Sequence, residues 1–125
     1  MTRFETSNIR FGFRVAGVMF HERCVLLQGE PQGAFWTLPG GGVELLEPSD
    51  EALKREMQEE LGVEIRLERL LCVVEHFFMS DDDGKANHEL GLYFLITPLD
   101  APYLYELERT FQAKEGERDV IFQWF

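Results

Sequence analysis

Glu56, Glu59 and Glu60 lie three and four positions apart. On an α-helix, at about 100° per residue, this spacing gathers the three side chains on one arc of roughly 100°. Leu53, Met57 and Leu61 fall on a neighbouring arc and form the core-facing stripe. Like charges at these spacings repel, so an isolated helix gains nothing from them. A cation must balance them. Arg55 reaches Glu59 along the helix, but one guanidinium does not neutralise three carboxylates. A hard divalent cation is the remaining partner. Magnesium takes oxygen ligands, keeps several waters, and is held by one or two carboxylates together with substrate phosphates. Residues 44–68 carry nine acids and three bases, more than half of the chain's net charge. On composition alone a solvated acidic face explains the same residues, and both readings stand at this point.

Gly40-Gly41-Gly42 follows Pro39 and precedes the helix, where backbone without Cβ atoms can approach a ligand or metal. No G-K-[ST] follows, so this is not a P-loop, and Leu45 stands at the third glycine position of G-x-G-x-x-G. The spacing as a whole is more specific. Gly41, Glu47, Arg55-Glu56-Met57, Glu59-Glu60 and Gly62-Val63 fill every fixed position of G-x5-E-x7-R-E-U-x-E-E-x-G-U, with U apolar. That is the signature of the Nudix hydrolase family, and the chain resembles a member. Seven fixed residues at about 5–7% usage each make a chance match rarer than roughly one in ten million. The preceding hairpin and Trp36-x-Leu-Pro-Gly-Gly-Gly also resemble the family's lead-in.

The resemblance implies an α/β/α sandwich around a mixed sheet, an α+β fold with the box helix on one face. It implies magnesium- or manganese-dependent hydrolysis of a nucleoside diphosphate linked to another moiety: a nucleotide, a nucleotide-sugar or an oxidised nucleoside triphosphate. By motif position, Glu56, Glu59 and Glu60 are the expected metal-facing carboxylates, with the Gly40 carbonyl as a further ligand. Gly41, Gly42 and Arg55 are expected to face substrate. Arg55 is the expected orienting residue, with Glu47 as its salt-bridge partner. The general base is one of the box glutamates or a carboxylate outside the box, where Glu89 ranks above Glu75. A second class stays open: a catalytically silent Nudix-fold module that senses a nucleotide. The intact Glu56/Glu59/Glu60 set speaks against it.

Three departures from the family pattern stand out. Leu46 occupies a position that is commonly Gly, and Pro48 replaces the usual Ser or Thr, which moves the expected helix cap to Ser49. The chain ends at Trp124-Phe125, where the family normally continues into a second helix. Either this is a piece of a longer chain, or that sheet face is covered differently, for example by the second subunit of a homodimer.

The elements that must position these groups read as one Nudix domain over residues 1–125. Phe11–Phe20 and Cys24–Gln28 suggest a hairpin, and Pro39–Gly42 should stop regular structure. Ser49–Leu61 is the clearest helix, with Asp50 and Glu51 in its first turn and Gly62 at its end. Residues 63–79 hold one or two strands, 80–87 a turn, 88–97 a strand, 98–109 irregular chain, and 120–125 a last strand. Phe11, Phe13, Trp36, Phe77 and Phe78 are core by default. The 125 residues carry 12 Lys plus Arg against 23 Asp plus Glu, a net charge of −11. That balance argues against nucleic-acid grooves and anionic membrane surfaces. No apolar run approaches the roughly 18–20 residues that span a bilayer. Cys24 and Cys72, far apart and without metal-ligand spacing, read as two buried thiols in a reducing cytoplasm. His21, His76 and His88 read as surface or turn residues, and Asp81-Asp-Asp-Gly as a turn.

Overall fold

The computed structural model describes residues 3–33 and 35–125. Within these residues, ten strands and one α-helix make two five-stranded sheets that share a core. The first sheet is built on β2 (Ile9–Val18), whose β-branched and aromatic residues suit a pleated surface. One edge of β2 pairs antiparallel with β1 (Arg3–Glu5) and β6 (Gly40–Gly42). Its other edge runs parallel to β8 (Ala86–Leu99), from Ile9 opposite Ala86 to Val18 opposite Leu95. β7 (Glu64–Met79) closes the sheet, antiparallel to β8, with register shifts at Leu67/Arg69 and Leu70/Cys72. The second sheet runs β4 (Cys24–Gly29), β10 (Arg118–Trp124), β9 (Phe111–Glu115), with β3 (Phe20–His21) and β5 (Trp36–Thr37) sharing the outer edge of β4.

The helix α1 spans Ser49–Leu61, the range read from the sequence. Its cap differs. Pro48, not Ser49, is the cap residue, because the Pro48 carbonyl already accepts the first helical bond from Ala52 N at 3.0 Å. Gly62 ends the helix at φ 66°, the left-handed conformation a glycine takes without a Cβ penalty. Leu53 and Met57 are fully buried and pack with Val15, Ile65, Ile96 and Phe122, which ties the helix to both sheets.

Several expectations need correction. Gly40–Gly42 does not stop regular structure but forms β6, because glycines let that segment lie against β2: a Cβ on Gly40 would sit 2.8 Å from the Ala16 Cα. The expected hairpin exists only at its tip, where Phe20-His21 pairs with Cys24-Val25 across Glu22 and Arg23, both at positive φ. The body of β2 belongs to the other sheet. β1 and β9 carry no apolar run long enough to be read as strands; pairing with β2 and β10 makes them so. A one-turn 3-10 helix, Pro102–Tyr105, lies in the segment expected to be irregular; the buried Trp124 donates from Nε1 to its Leu104 carbonyl at 2.6 Å. Cys72 is exposed and Cys24 half-buried, so the thiols are free but not both interior. Phe77 and Phe78 are likewise surface residues on β7, which is the outer strand of its sheet.

Candidate functional site

The helix register divides the three glutamates. Glu56 and Glu60 fall on the buried side with Ala52, Leu53 and Met57, while Glu59 faces solvent. Two carboxylates thus sit 8% and 6% exposed on a helix face that otherwise packs apolar core. The glycine run makes room for one of them. A Cβ on Gly41 would lie 2.6 Å from both carboxylate oxygens of Glu56. Gly41 is therefore glycine because the Glu56 head group occupies that space.

Arg55 clamps the loop to the helix. Its Nε and Nη2 donate to the two Glu47 oxygens at 2.8 and 3.0 Å, a bidentate pair. Nη2 also donates to the Gly42 carbonyl at 3.0 Å, and Nη1 to Glu56 Oε1 at 3.0 Å and Glu59 Oε2 at 3.3 Å. Glu47 in turn accepts from the Glu44 amide at 3.0 Å. The Arg55 hydrogen bond, with help from that amide, holds the Glu47 carboxyl below its usual range. The expected Arg55–Glu47 partnership is thus present, and Arg55 spends its charge on Glu47, Glu56 and Glu59.

Glu60 is left over. Both its oxygens are buried without a hydrogen-bond partner among the described residues. Burial first, then the neighbouring Glu56 and Glu115 charges, push its pKa up to about 8, and Arg14 offsets this only in part. Burial also raises Glu56, against the pull of Arg55. Unpaired buried charge costs several kcal/mol, so this pair needs protons or a cation.

Glu115, near the end of β9, is the residue that sequence reasoning missed. Its charge raises both Glu56 and Glu60, and the strand that carries it packs against α1. Lys114-Glu115-Gly116 looks like an ordinary hairpin end, and no spacing within the sequence connects it to the helix. Glu89 is placed elsewhere. Gly41 stands opposite Val15 and Val15 opposite Leu92, so these residues share the sheet face that meets Glu56. Glu89 is three residues from Leu92 on a strand with no register break there, so it lies on the opposite face. Glu75 is occupied by His88, 3.0 Å away.

The question of a metal turns on these carboxylates. Among the described residues no three His, Cys, Asp or Glu side chains converge as a ready-made ion cage. The charge nevertheless fits a divalent cation: Glu60 offers two buried oxygens without a hydrogen-bond partner, beside the carboxylate of Glu56. Oxygen-only donors of this kind suit magnesium or manganese.

The fold and this loop–helix arrangement define a class. The chain belongs to the Nudix family: the NUDIX domain profile matches residues 10–125. It is similar to the low-salt glycan biosynthesis protein Agl8 of Haloferax volcanii, 40% identical over 85 residues, covering 64% of this chain and 54% of that protein. It is also similar to an 8-oxo-dGTP diphosphatase of Proteus vulgaris, 46% identical over 65 residues, covering 52% and 53%. The chain thus spans about half the length of these relatives. Among solved structures, a MutT NUDIX hydrolase from Burkholderia pseudomallei superposes with a TM-score of 0.63 at 27% identity, covering 92% of this chain and 82% of that one. No helix among the described residues is long and apolar enough to cross a membrane.

Proposed function

We propose that this chain is a metal-dependent pyrophosphohydrolase that cleaves a phosphoanhydride bond in a nucleoside diphosphate linked to another group. The observation that carries this reading is Glu60, a buried carboxylate with no partner on a helix whose other acids Arg55 already serves. Relatives named as an 8-oxo-dGTP diphosphatase and a nucleoside triphosphatase support the substrate class.

Glu56 and Glu60 would hold magnesium or manganese, with Glu59 at the solvent side and the Gly40 carbonyl as a further ligand. When bound, such an ion neutralises diphosphate oxygens and lowers the pKa of a water. The chain's own part is positional and electrostatic. Arg55 fixes Glu56 and ties the glycine loop to the helix through Glu47 and the Gly42 carbonyl, so the carboxylates keep one geometry. Gly41 leaves the space that the Glu56 carboxylate fills.

A panel of nucleoside diphosphate derivatives and triphosphates, incubated with magnesium and assayed for phosphate or nucleotide release, tests the reading. Turnover that requires the metal supports it. Saturable nucleotide binding without turnover of any member would replace it with the sensor reading.

Two further assignments belong here. The free thiols Cys24 and Cys72 favour a reducing compartment such as the cytoplasm. The outer edge of β7 suits a second copy of this chain, because it exposes Leu70, Val73, Phe77 and Met79 along a 16-residue strand whose far side has no partner among the described residues.

A further inference from the structure

Glu60 also borders a set of hydrogen-bond donors that take no part in holding the carboxylates. The end of α1 and the segment from Tyr103 to Gln112 flank a hollow of about 390 Å³, whose lining includes Glu60, Tyr103, Arg109, Thr110, Phe111 and Gln112. Arg109 is the only cation among these residues and Glu60 the only anion.

Arg109 is positioned there in advance. Phe111 is 6% exposed and belongs to the core, and the Arg109 guanidinium lies over its ring, 5.0 Å from the centroid. Nη1 donates to Glu106 at 3.3 Å, whereas Nε and Nη2 donate to no group among the described residues. The Glu106 pair is exposed on both sides, and such pairs contribute little, so a stronger acceptor displaces the carboxylate. The Tyr103 and Thr110 hydroxyls and the Gln112 amide likewise have no hydrogen-bond partner among the described residues. Arg55, by contrast, is committed to Glu47, Glu56 and Glu59, and Arg118 to Glu115 and Glu30. The unused cation beside Glu60 is therefore Arg109. A guanidinium carries donors and no acceptor, which suits phosphate oxygens and not the hydroxyls of a neutral sugar.

We propose that Arg109 is a specificity-determining residue that grips the terminal phosphate of a nucleoside triphosphate, beyond the phosphates that lie at Glu60. A diphosphate that continues into a neutral group offers this arginine no charge, so the chain favours triphosphates over nucleotide-sugars. The inference narrows the substrate class of the activity proposed above and rests on that reading for its biological sense.

Its test is binding and does not depend on turnover. Inorganic tripolyphosphate and pyrophosphate, as their magnesium complexes, are titrated calorimetrically into the full chain. Tripolyphosphate should bind about tenfold or more tightly, the worth of one charge-assisted pair of bonds. Arg109→Ala should erase that preference and leave pyrophosphate unchanged. Arg109→Lys should keep part of it, since the charge stays and the fork is lost. Free guanidinium at millimolar concentration should restore tripolyphosphate binding to the alanine variant and do nothing for the parent, which a merely structural arginine would not show. Arg109→Gln repeats the test if the alanine variant does not fold. Equal binding of the two probes, or a tripolyphosphate preference that survives both neutral substitutions, would overturn the assignment. Metal-dependent turnover of the substrate panel without a preference for triphosphates would leave the proposed activity standing and sink only the role of Arg109.

Discussion

The space beside Gly41 belongs to Glu56: a Cβ built on the glycine would lie 2.6 Å from each oxygen of that carboxylate. This one relationship locks the box loop to the box helix. The glycine sits in β6, paired with Val15, and the glutamate sits on the buried side of α1. Any side chain at this position of the loop must push the carboxylate out of place.

Gly41→Ala should therefore act on activity far more than on the fold. The group displaced is the end of a flexible side chain, which can rotate away at modest cost. Turnover should fall at least tenfold while the melting temperature moves by only a few degrees. Steady-state rates and a thermal melt on the same preparation check this, and an unchanged rate would mean that Glu56 need not hold its position.

Arg55→Lys should not behave as a conservative change. A lysine cannot reproduce the two parallel bonds to Glu47 together with those to the Gly42 carbonyl and Glu56. Losing a partly buried, charge-assisted network of this kind costs about 1–3 kcal/mol. The denaturant midpoint should fall accordingly, with turnover reduced in parallel. A midpoint within error of the parent would show that the clamp contributes little.

The metal-free protein should lose stability as pH rises through neutrality. The Glu60 carboxyl titrates near 8 in the folded chain against an ordinary value of 4.5. Between those values the folded chain holds a proton that the unfolded chain has released, so unfolding becomes easier with rising pH. The contribution is complete below about 4.5 and gone above about 8. Glu47 and Asp83, whose values are lowered, titrate in acid and do not act in this window. Melting temperatures measured with chelator should be lower at pH 8.5 than at pH 6, and Glu60→Gln should flatten the slope. The opposite slope, unaffected by Glu60→Gln, would contradict the burial of this group.

Much of the site is legible in the amino-acid sequence alone. The helix bounds and the Gly62 terminus follow from local spacing and local chemistry, which a linear sequence displays, and the Arg55–Glu47 pair from the likeness to the Nudix signature. What it does not display is pairing across the chain. The Glu115 charge acts on Glu56 and Glu60 only because β9 pairs with β10 and packs against α1, a contact spanning more than fifty residues. The face on which Glu89 lies follows from β8 running parallel to β2, a pairing no local pattern announces. Helical spacing gives the arc of the three glutamates but not its depth: Glu56, whose head group fills the space beside Gly41 of the first sheet, and Glu60 are buried, and Glu59 is exposed. Phe77 reads as core and lies on the surface, because an apolar residue on an outer strand looks the same in sequence as one in a core.

If β7 carries a second copy of the chain, a charge on its exposed side should separate the two. Val73 is 55% exposed and contributes nothing to the buried core, so Val73→Lys should fold normally. Light scattering after size exclusion should show a dimer for the parent and a monomer for the variant. A monomeric parent at micromolar concentration would end the proposal.

A divalent ion held between them is the reason we assign to the joint burial of Glu56 and Glu60. Manganese titrated calorimetrically at pH 7, in two buffers of different ionisation enthalpy, reads both affinity and proton release. Saturable binding that expels the Glu60 proton is expected, with tighter binding at pH 8 and loss of the proton signal in Glu60→Gln. No saturable binding, with or without a nucleotide present, would contradict it.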